Sequence, residues 1–224
     1  MNEVEYKIYI DDVIRRVENA RLKVSAHHIV QIVAVSKYSN ANNIEKLYKI
    51  GQRAFGENKV QDLKTKSIEL QDLPLQWHFI GHLQKNKINN LLDIKPSLFQ
   101  ALDSIELAQE LQKKLANKDM TLKCLLQINS AKEDSKHGVL PEDAIDIYKQ
   151  ITEECPNITL KGVMSIGANS KDQDIIKKSF IITHDIYKQL PNANICSMGM
   201  SKDFELAIEC GSNMIRLGSL MFNK

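Results

Sequence analysis

Apolar positions follow two periods along this chain, and the changeover falls near residue 30. Over Val4–Val24 the apolar residues keep a helical spacing, so an amphipathic helix opens the chain. Beyond it, short apolar runs of strand length alternate with helical stretches. The strand-like runs are Gln31–Ser36, Ala54–Glu57, Gln76–Ile80, Ser97–Leu102, Leu122–Asn129, Leu160–Ile166, Asn194–Met198 and Met214–Leu217. Helical spacing occupies Asn42–Ile50, Val60–Leu70, Ser104–Asn117, Glu142–Glu154, Asp174–Leu190 and Lys202–Glu209, with Ser, Asp or Pro near several starts and Gly51 and Gly211 near two ends. Strands buried on both faces and joined by helices make a parallel sheet. Eight such units in one chain predict a single α/β domain over residues 1–224, a (β/α)8 TIM-type barrel with an extra N-terminal helix. The rival architecture is an open doubly wound sheet, but no G-x-G-x-x-G follows the first strand.

Composition narrows the class further. Hydrophobic residues make up 43% and charged residues 26%, ample for a folded core, while 9 Gly and 5 Pro exclude collagen-like and low-complexity chains. No apolar run approaches the ~18–20 residues that a bilayer crossing needs. The start, Met1-Asn2-Glu3-Val4-Glu5, is acidic and is not followed by a signal-type apolar segment, so the expected compartment is the cytoplasm. Cys124, Cys155, Cys196 and Cys210 are far apart and form no C-x-x-C, which predicts reduced, buried thiols rather than disulfides or a zinc site. The net charge is +2, with lysines interleaved among carboxylates, so nucleic acid is not an expected partner.

In a barrel the chemistry lies at the C-terminal ends of the strands. Those ends carry Ser36-Lys37, Glu57-Asn58, His78 with Gly81-His82, Asp103, Asn129-Ser130, Ser165, Ser197 to Ser201, and Arg216 to Ser219. Lys37 directly follows an apolar strand; desolvation there would favour the neutral amine, the form that attacks an aldehyde to give a Schiff base. A lysine that merely reaches solvent from the strand end is the simpler alternative. Ser201 is placed to cap the helix after the seventh strand, and Gly218-Ser219 make a donor-rich turn after the eighth, the region where barrels commonly bind phosphate. Ordinary turn chemistry is the alternative for either turn alone. His78 and His82 straddle a strand end rather than share a helical face, so no metal site is expected from them; His78 reads as lining or supporting the site. His27, His28 and His137 fall in loops and receive no role.

Taken together, these residues resemble a known family. Ala34-Val35-Ser36-Lys37, Phe55-Gly56-Glu57-Asn58, Trp77 to Lys87 (WHFIGHLQKNK), Glu133 to Gly138 (EDSKHG), Gly162 to Ile166, Ser197 to Asp203 (SMGMSKD) and Arg216-Leu217-Gly218-Ser219 occur in order along nearly the whole chain. They are similar to the pyridoxal 5′-phosphate (PLP) homeostasis proteins, the YggS/PROSC group, related in fold to the N-terminal barrel of alanine racemase. The resemblance implies that PLP forms a Schiff base on Lys37, with Asn58 beside the cofactor and Ser201, Gly218 and Ser219 on the phosphate. It also puts Arg216 against the pyridine nitrogen, where a permanently protonated guanidinium would disfavour a ring proton and weaken the cofactor as an electron sink. The sequence departs from the family pattern at Leu220–Lys224, and Ser219 stands where many members have Thr, which keeps the hydroxyl.

What the resemblance implies is a protein that buffers or delivers PLP, with PLP-dependent apoenzymes as possible recipients, and a monomer. About seven residues follow the eighth strand, so no room is expected for the β domain that alanine racemase adds to its barrel. The alternatives are a slow PLP-dependent amino-acid racemase or lyase, and a Schiff-base aldolase acting on a sugar phosphate.

Overall fold

A computed structural model describes residues 3–222 of the chain. Eight strands, β1 (Gln31–Val35), β2 (Ala54–Glu57), β3 (Gln76–Phe79), β4 (Leu98–Leu102), β5 (Leu122–Ile128), β6 (Ile158–Ser165), β7 (Ile195–Met200) and β8 (Met214–Leu217), form a closed parallel barrel in chain order. All eight predicted strands are present, with ends displaced by at most about two residues. Their near-continuous burial is what a parallel sheet covered by helices requires. Closure comes from β1 against β8, with Gln31 opposite Met214, Ile32 opposite Ile215, Val33 opposite Arg216 and Ala34 opposite Leu217.

The helices are α1 (Glu3–Val24), α2 (Ala41–Lys49), α3 (Val60–Glu69), α4 (Ile88–Ile94), α5 (Ile105–Asn117), α6 (Ala144–Glu154), α7 (Gln173–Tyr187), α8 (Phe204–Glu209) and α9 (Ser219–Phe222). The sequence pattern does not predict two of them. In α4, Ile88, Leu91 and Leu92 are buried, but seven residues rich in Asn and preceded by a polar one-turn 3-10 segment, Lys85–Lys87, are too few to show a helical period. The single turn α9 is shorter still. Two helices start on a side-chain cap: Asn40 accepts from the Asn43 amide at the start of α2, and Ser104 from Leu107 at the start of α5.

The extra helix α1 packs on α8 and α9, the two elements that follow the last two strands. Ile10, Val13, Val17 and Ala20 form its buried stripe. Arg16 makes a two-pronged ion pair to Glu205, at 2.9 Å on each arm, and lays its guanidinium 4.9 Å from the centre of the Phe204 ring. The Tyr6 hydroxyl donates to the Met221 carbonyl at 2.7 Å. All four cysteines are buried and unbridged, and burial pushes the Cys124 and Cys196 thiols far up.

The α1–α8 seam separates packing from charge. Phe204 is fully buried, so Phe204→Ala is expected to cost about 3–5 kcal/mol in urea unfolding. Arg16→Gln removes a partly exposed pair and is expected to cost under about 1 kcal/mol.

Candidate functional site

The strand ends meet at one mouth. Lys37 follows β1 on its rim and Asn58 follows β2, both exposed. The desolvation expected of Lys37 is not what the fold provides: the side chain reaches outward, its Nζ 5.1 Å from the centre of the exposed Tyr38 ring. The peptide that carries it is nevertheless held rigidly. Glu57, fully buried at the end of β2, accepts from the Ser36 hydroxyl at 2.6 Å and from the Lys66 ammonium, which also donates to the Ser36 carbonyl at 2.8 Å. A lysine from α3 therefore clamps the residue immediately before Lys37. The other carboxylate oxygen of Glu57, Oε2, is buried without a hydrogen-bond partner. On the next rim position Gly81 lies against the backbone of Asn58: a Cβ there would sit 2.1 Å from the Asn58 carbonyl oxygen, so no larger residue fits.

The turns after β7 and β8 come together differently from the expectation. Ser201 is not a helix cap, because β7 runs on to Met200 and α8 starts only at Phe204, behind Asp203. Its hydroxyl oxygen instead accepts from the amides of Gly218 (3.2 Å) and Leu220 (3.5 Å) in the following turn. Ser219 is exposed beside them. Asp203 accepts from the Met200 amide; burial raises its carboxyl above the ordinary value, outweighing that bond and the nearby Arg216 charge.

Arg216 is buried in β8, and its guanidinium donates to the Ser165 carbonyl (2.8 Å), the Ser197 carbonyl (2.9 Å) and the Ser197 hydroxyl (2.6 Å). Ser197 in turn donates to Gln100 Oε1 at 2.8 Å, and the Gln100 amide lies 2.9 Å from His78 Nδ1. Since β7 and β4 are not neighbours in the ring, this chain crosses the interior of the barrel. Its direction is set by its ends. Arginine can only donate, so Ser197 must pass its own proton to Gln100, and the amide NH2 must then donate to an unprotonated His78 nitrogen. Burial agrees, pushing His78 down to about 4 and Arg216 to about 10, so the interior holds one cation and a neutral imidazole at neutral pH.

The strand-end pattern points to Arg216, Ser197 and His78 but misses Gln100, Lys66 and the use of Glu57. Gln100 leaves a signal: an amide inside the apolar run Leu98-Phe99-Gln100-Ala101-Leu102 must find a partner when buried. Lys66 leaves none, since nothing separates it from other lysines on a helix. An open depression of about 340 Å³ lined by Val30, Ile32, Arg53 and Gln76 lies at the opposite, N-terminal ends of the strands, away from this polar assembly.

Comparison with known proteins agrees with this geometry. Residues 8–223 match the family model described as "Alanine racemase, N-terminal domain", and the chain belongs to that barrel family. Within it, the relatives are specific. The chain is 52% identical over 221 residues to the pyridoxal phosphate homeostasis protein of Helicobacter pylori, covering 99% of this chain and 100% of that one, and it is a member of the pyridoxal phosphate homeostasis protein family. PipY of Synechococcus elongatus, solved with PLP bound, superposes with a TM-score of 0.78 at 31% identity, over 92% of this chain and 99% of that one. An alanine racemase of Clostridium difficile shares the fold alone, with a TM-score of 0.70 at 15% identity, over 94% of this chain and 56% of that one.

Two outcomes follow from the buried groups. Lys66→Met leaves the Glu57 carboxylate buried without its cation, an expected loss of about 3–5 kcal/mol in urea unfolding, largely recovered in the Lys66→Met/Glu57→Gln double variant. His78 is neutral in the fold down to about pH 4, whereas an unfolded histidine takes up its proton near its ordinary 6.5. Between those values the unfolded chain binds more protons, so stability falls as pH falls. At pH 4.5 the loss from this residue should be a few kcal/mol relative to pH 7, on the order of 2–3, and the His78→Gln variant should lack that part of the slope in parallel urea melts.

Proposed function

We propose that this protein binds pyridoxal 5′-phosphate at the barrel mouth and buffers it in the cytoplasm or delivers it, as a monomer, to apoenzymes that need it. The observation that carries the reading is the meeting of the last two turns. The Ser201 hydroxyl oxygen accepts from the amides of Gly218 and Leu220 with the exposed Ser219 beside them, which gathers hydroxyl and amide donors from two turns where an anionic group would find them. The closure of β1 on β8 places these donors next to the strand that presents Lys37. The family, the name of the Helicobacter pylori relative and the PLP bound to PipY support the choice of ligand.

PLP supplies an aldehyde and an electron-accepting ring. Lys37 would supply the amine for that aldehyde, and the Ser36–Glu57–Lys66 clamp fixes the backbone from which that amine reaches. Ser201, Gly218 and Ser219 would hold the phosphate, with Asn58 beside the ring. Arg216, held by Ser165 and Ser197 and protonated to about pH 10, would oppose a proton on a pyridine nitrogen bound beside it and so leave the ring a poor electron sink. Holding without activation suits a carrier better than a racemase or lyase.

Purified protein incubated with PLP should show the absorbance of a lysine Schiff base, and borohydride followed by peptide mapping should find the adduct on Lys37. Lys37→Ala should abolish the trapped adduct while keeping weak, phosphate-dependent binding. Ser201→Ala should weaken PLP binding about 10-fold, the scale of one hydrogen bond to a charged group. An adduct on another lysine would refute the Lys37 assignment, and sustained racemisation or elimination of amino acids above the rate of free PLP would overturn the carrier reading.

A further inference from the structure

The half of the mouth across the ring from the β8–β1 seam carries a second cluster of functional groups. His82 follows β3, Asp103 follows β4 and His137 lies in the loop after β5. Asp103 Oδ2 is 2.7 Å from His82 Nδ1 and 3.9 Å from His137 Nδ1, and one donor atom from each of the three residues lies within 4.8 Å of the others. The carboxylate is largely covered, with its side chain 8% exposed, while the imidazoles remain open to solvent at 45% and 60%. Among the described residues this is the one such group of three. It is also a different pairing from the His78–His82 spacing in the sequence, since His78 turns inward to Gln100.

The position of His137 is built rather than incidental. Asn129 ties its loop at both ends, accepting from the Glu133 amide and donating to the carbonyls of Glu133 (2.9 Å) and Lys136 (3.1 Å). Gln127 donates to the His137 carbonyl at 2.7 Å, and Lys136 donates to the Gly167 carbonyl at 2.7 Å. Gly138, at φ +127°, brings the loop back so close that a Cβ would lie 2.7 Å from the Asn129 nitrogen. A loop held this firmly delivers one imidazole onto another, with ring centres 4.0 Å apart and planes 11° from parallel, over a shared carboxylate.

We propose that His82, Asp103 and His137 form a three-ligand site for a divalent transition-metal ion of the zinc class, at the rim of the barrel and apart from the cofactor residues. Two imidazoles and one carboxylate with an open outer side are the donor set such ions take. At metal–ligand distances of ~2.0–2.1 Å, tetrahedral ligand atoms stand ~3.4 Å apart, and the observed 2.7 and 3.9 Å bracket that value. A metal lies in the plane of each imidazole that binds it, so the parallel rings must tilt apart when the ion enters. His137, the more exposed, has the room to do so. The ion would then tie together the ends of β3, β4 and β5, adding to the His82–Asp103 hydrogen bond and the His82–His137 stack.

The test uses tag-free, full-length protein stripped of metal by a chelator, titrated with Zn2+ by calorimetry and with Co2+ by visible absorption. One Zn2+ per chain is expected, with a Co2+ spectrum of low coordination number and a rise in the thermal unfolding midpoint on adding Zn2+. His137→Ala, which alters only an exposed loop side chain, and Asp103→Asn should each weaken Zn2+ binding at least about 10-fold. His82→Ala/His137→Ala should lose both the Co2+ spectrum and the Zn2+-dependent midpoint shift, while keeping the circular dichroism of the parent. Absence of saturable binding at one ion per chain, or binding that survives in the double variant, would overturn the proposal and leave the cluster as a staple of the β5–α6 loop. Neither result depends on PLP, so the outcome stands apart from the cofactor reading.

Discussion

Pairing of the first strand with the last is the constraint on which the rest of the molecule rests. Residues about 180 positions apart in the chain, Gln31 to Ala34 and Met214 to Leu217, share one ladder, and without it there is no barrel, only an open parallel sheet with two bare edges. The ladder also joins two pieces of chemistry that the sequence keeps at opposite ends. Lys37 lies just past one partner strand, and the Gly218-Ser219 turn just past the other. The first helix serves the same junction from outside: through Tyr6, Arg16 and its buried stripe it holds α8 and α9, the two helices that start from the donor turns. An extra helix that looks like an appendage in the sequence is thus a brace for the seam.

Much of this architecture is legible in the amino-acid sequence itself. The alternation of short apolar runs with helical stretches identifies eight strands because parallel strands, buried on both faces, carry nearly unbroken apolar runs. The end of each run then points to the mouth, and with it to Lys37, Asn58, Ser201, Arg216, Gly218 and Ser219. What stays hidden depends on three dimensions. Local spacing makes Ser201 a cap for its own helix, but its hydroxyl serves the next turn, a choice made by how two turns meet. Lys66 holds the Ser36 carbonyl from a helix whose other lysine, Lys64, is exposed, and only packing separates them. His137 reads as a loop residue, because nothing in a linear pattern says which strand end its loop will lean against. Helix α4 escapes the pattern since two turns of Ile, Leu and Asn are too short for a period to emerge.

The mouth divides into two chemically distinct halves. Around the closing seam stand the amine, the amide donors and the arginine; around β3 to β5 stand two imidazoles and a carboxylate. The buried hydrogen-bond chain from Arg216 through Ser197 and Gln100 to His78 runs beneath both, linking the seam half to the strand that carries His82. The two middle links, Ser197 and Gln100, each accept at one atom and donate at another, so the chain runs in one sense only, and a buried polar network ordered in this way adds rigidity.

That one-way chain has a consequence for the electrostatic potential above it. His78 stays neutral down to about pH 4 and Arg216 stays charged up to about pH 10, so neither terminus gains or loses a proton across the range in which a cell lives. These two ends therefore leave the charge they place at the barrel floor unchanged across that range, and the carboxyl that can alter it is Asp203, whose charge couples to Arg216. A molecule seated there would meet the arginine in one charge state throughout, as a circuit meets a fixed terminal rather than a titrating buffer.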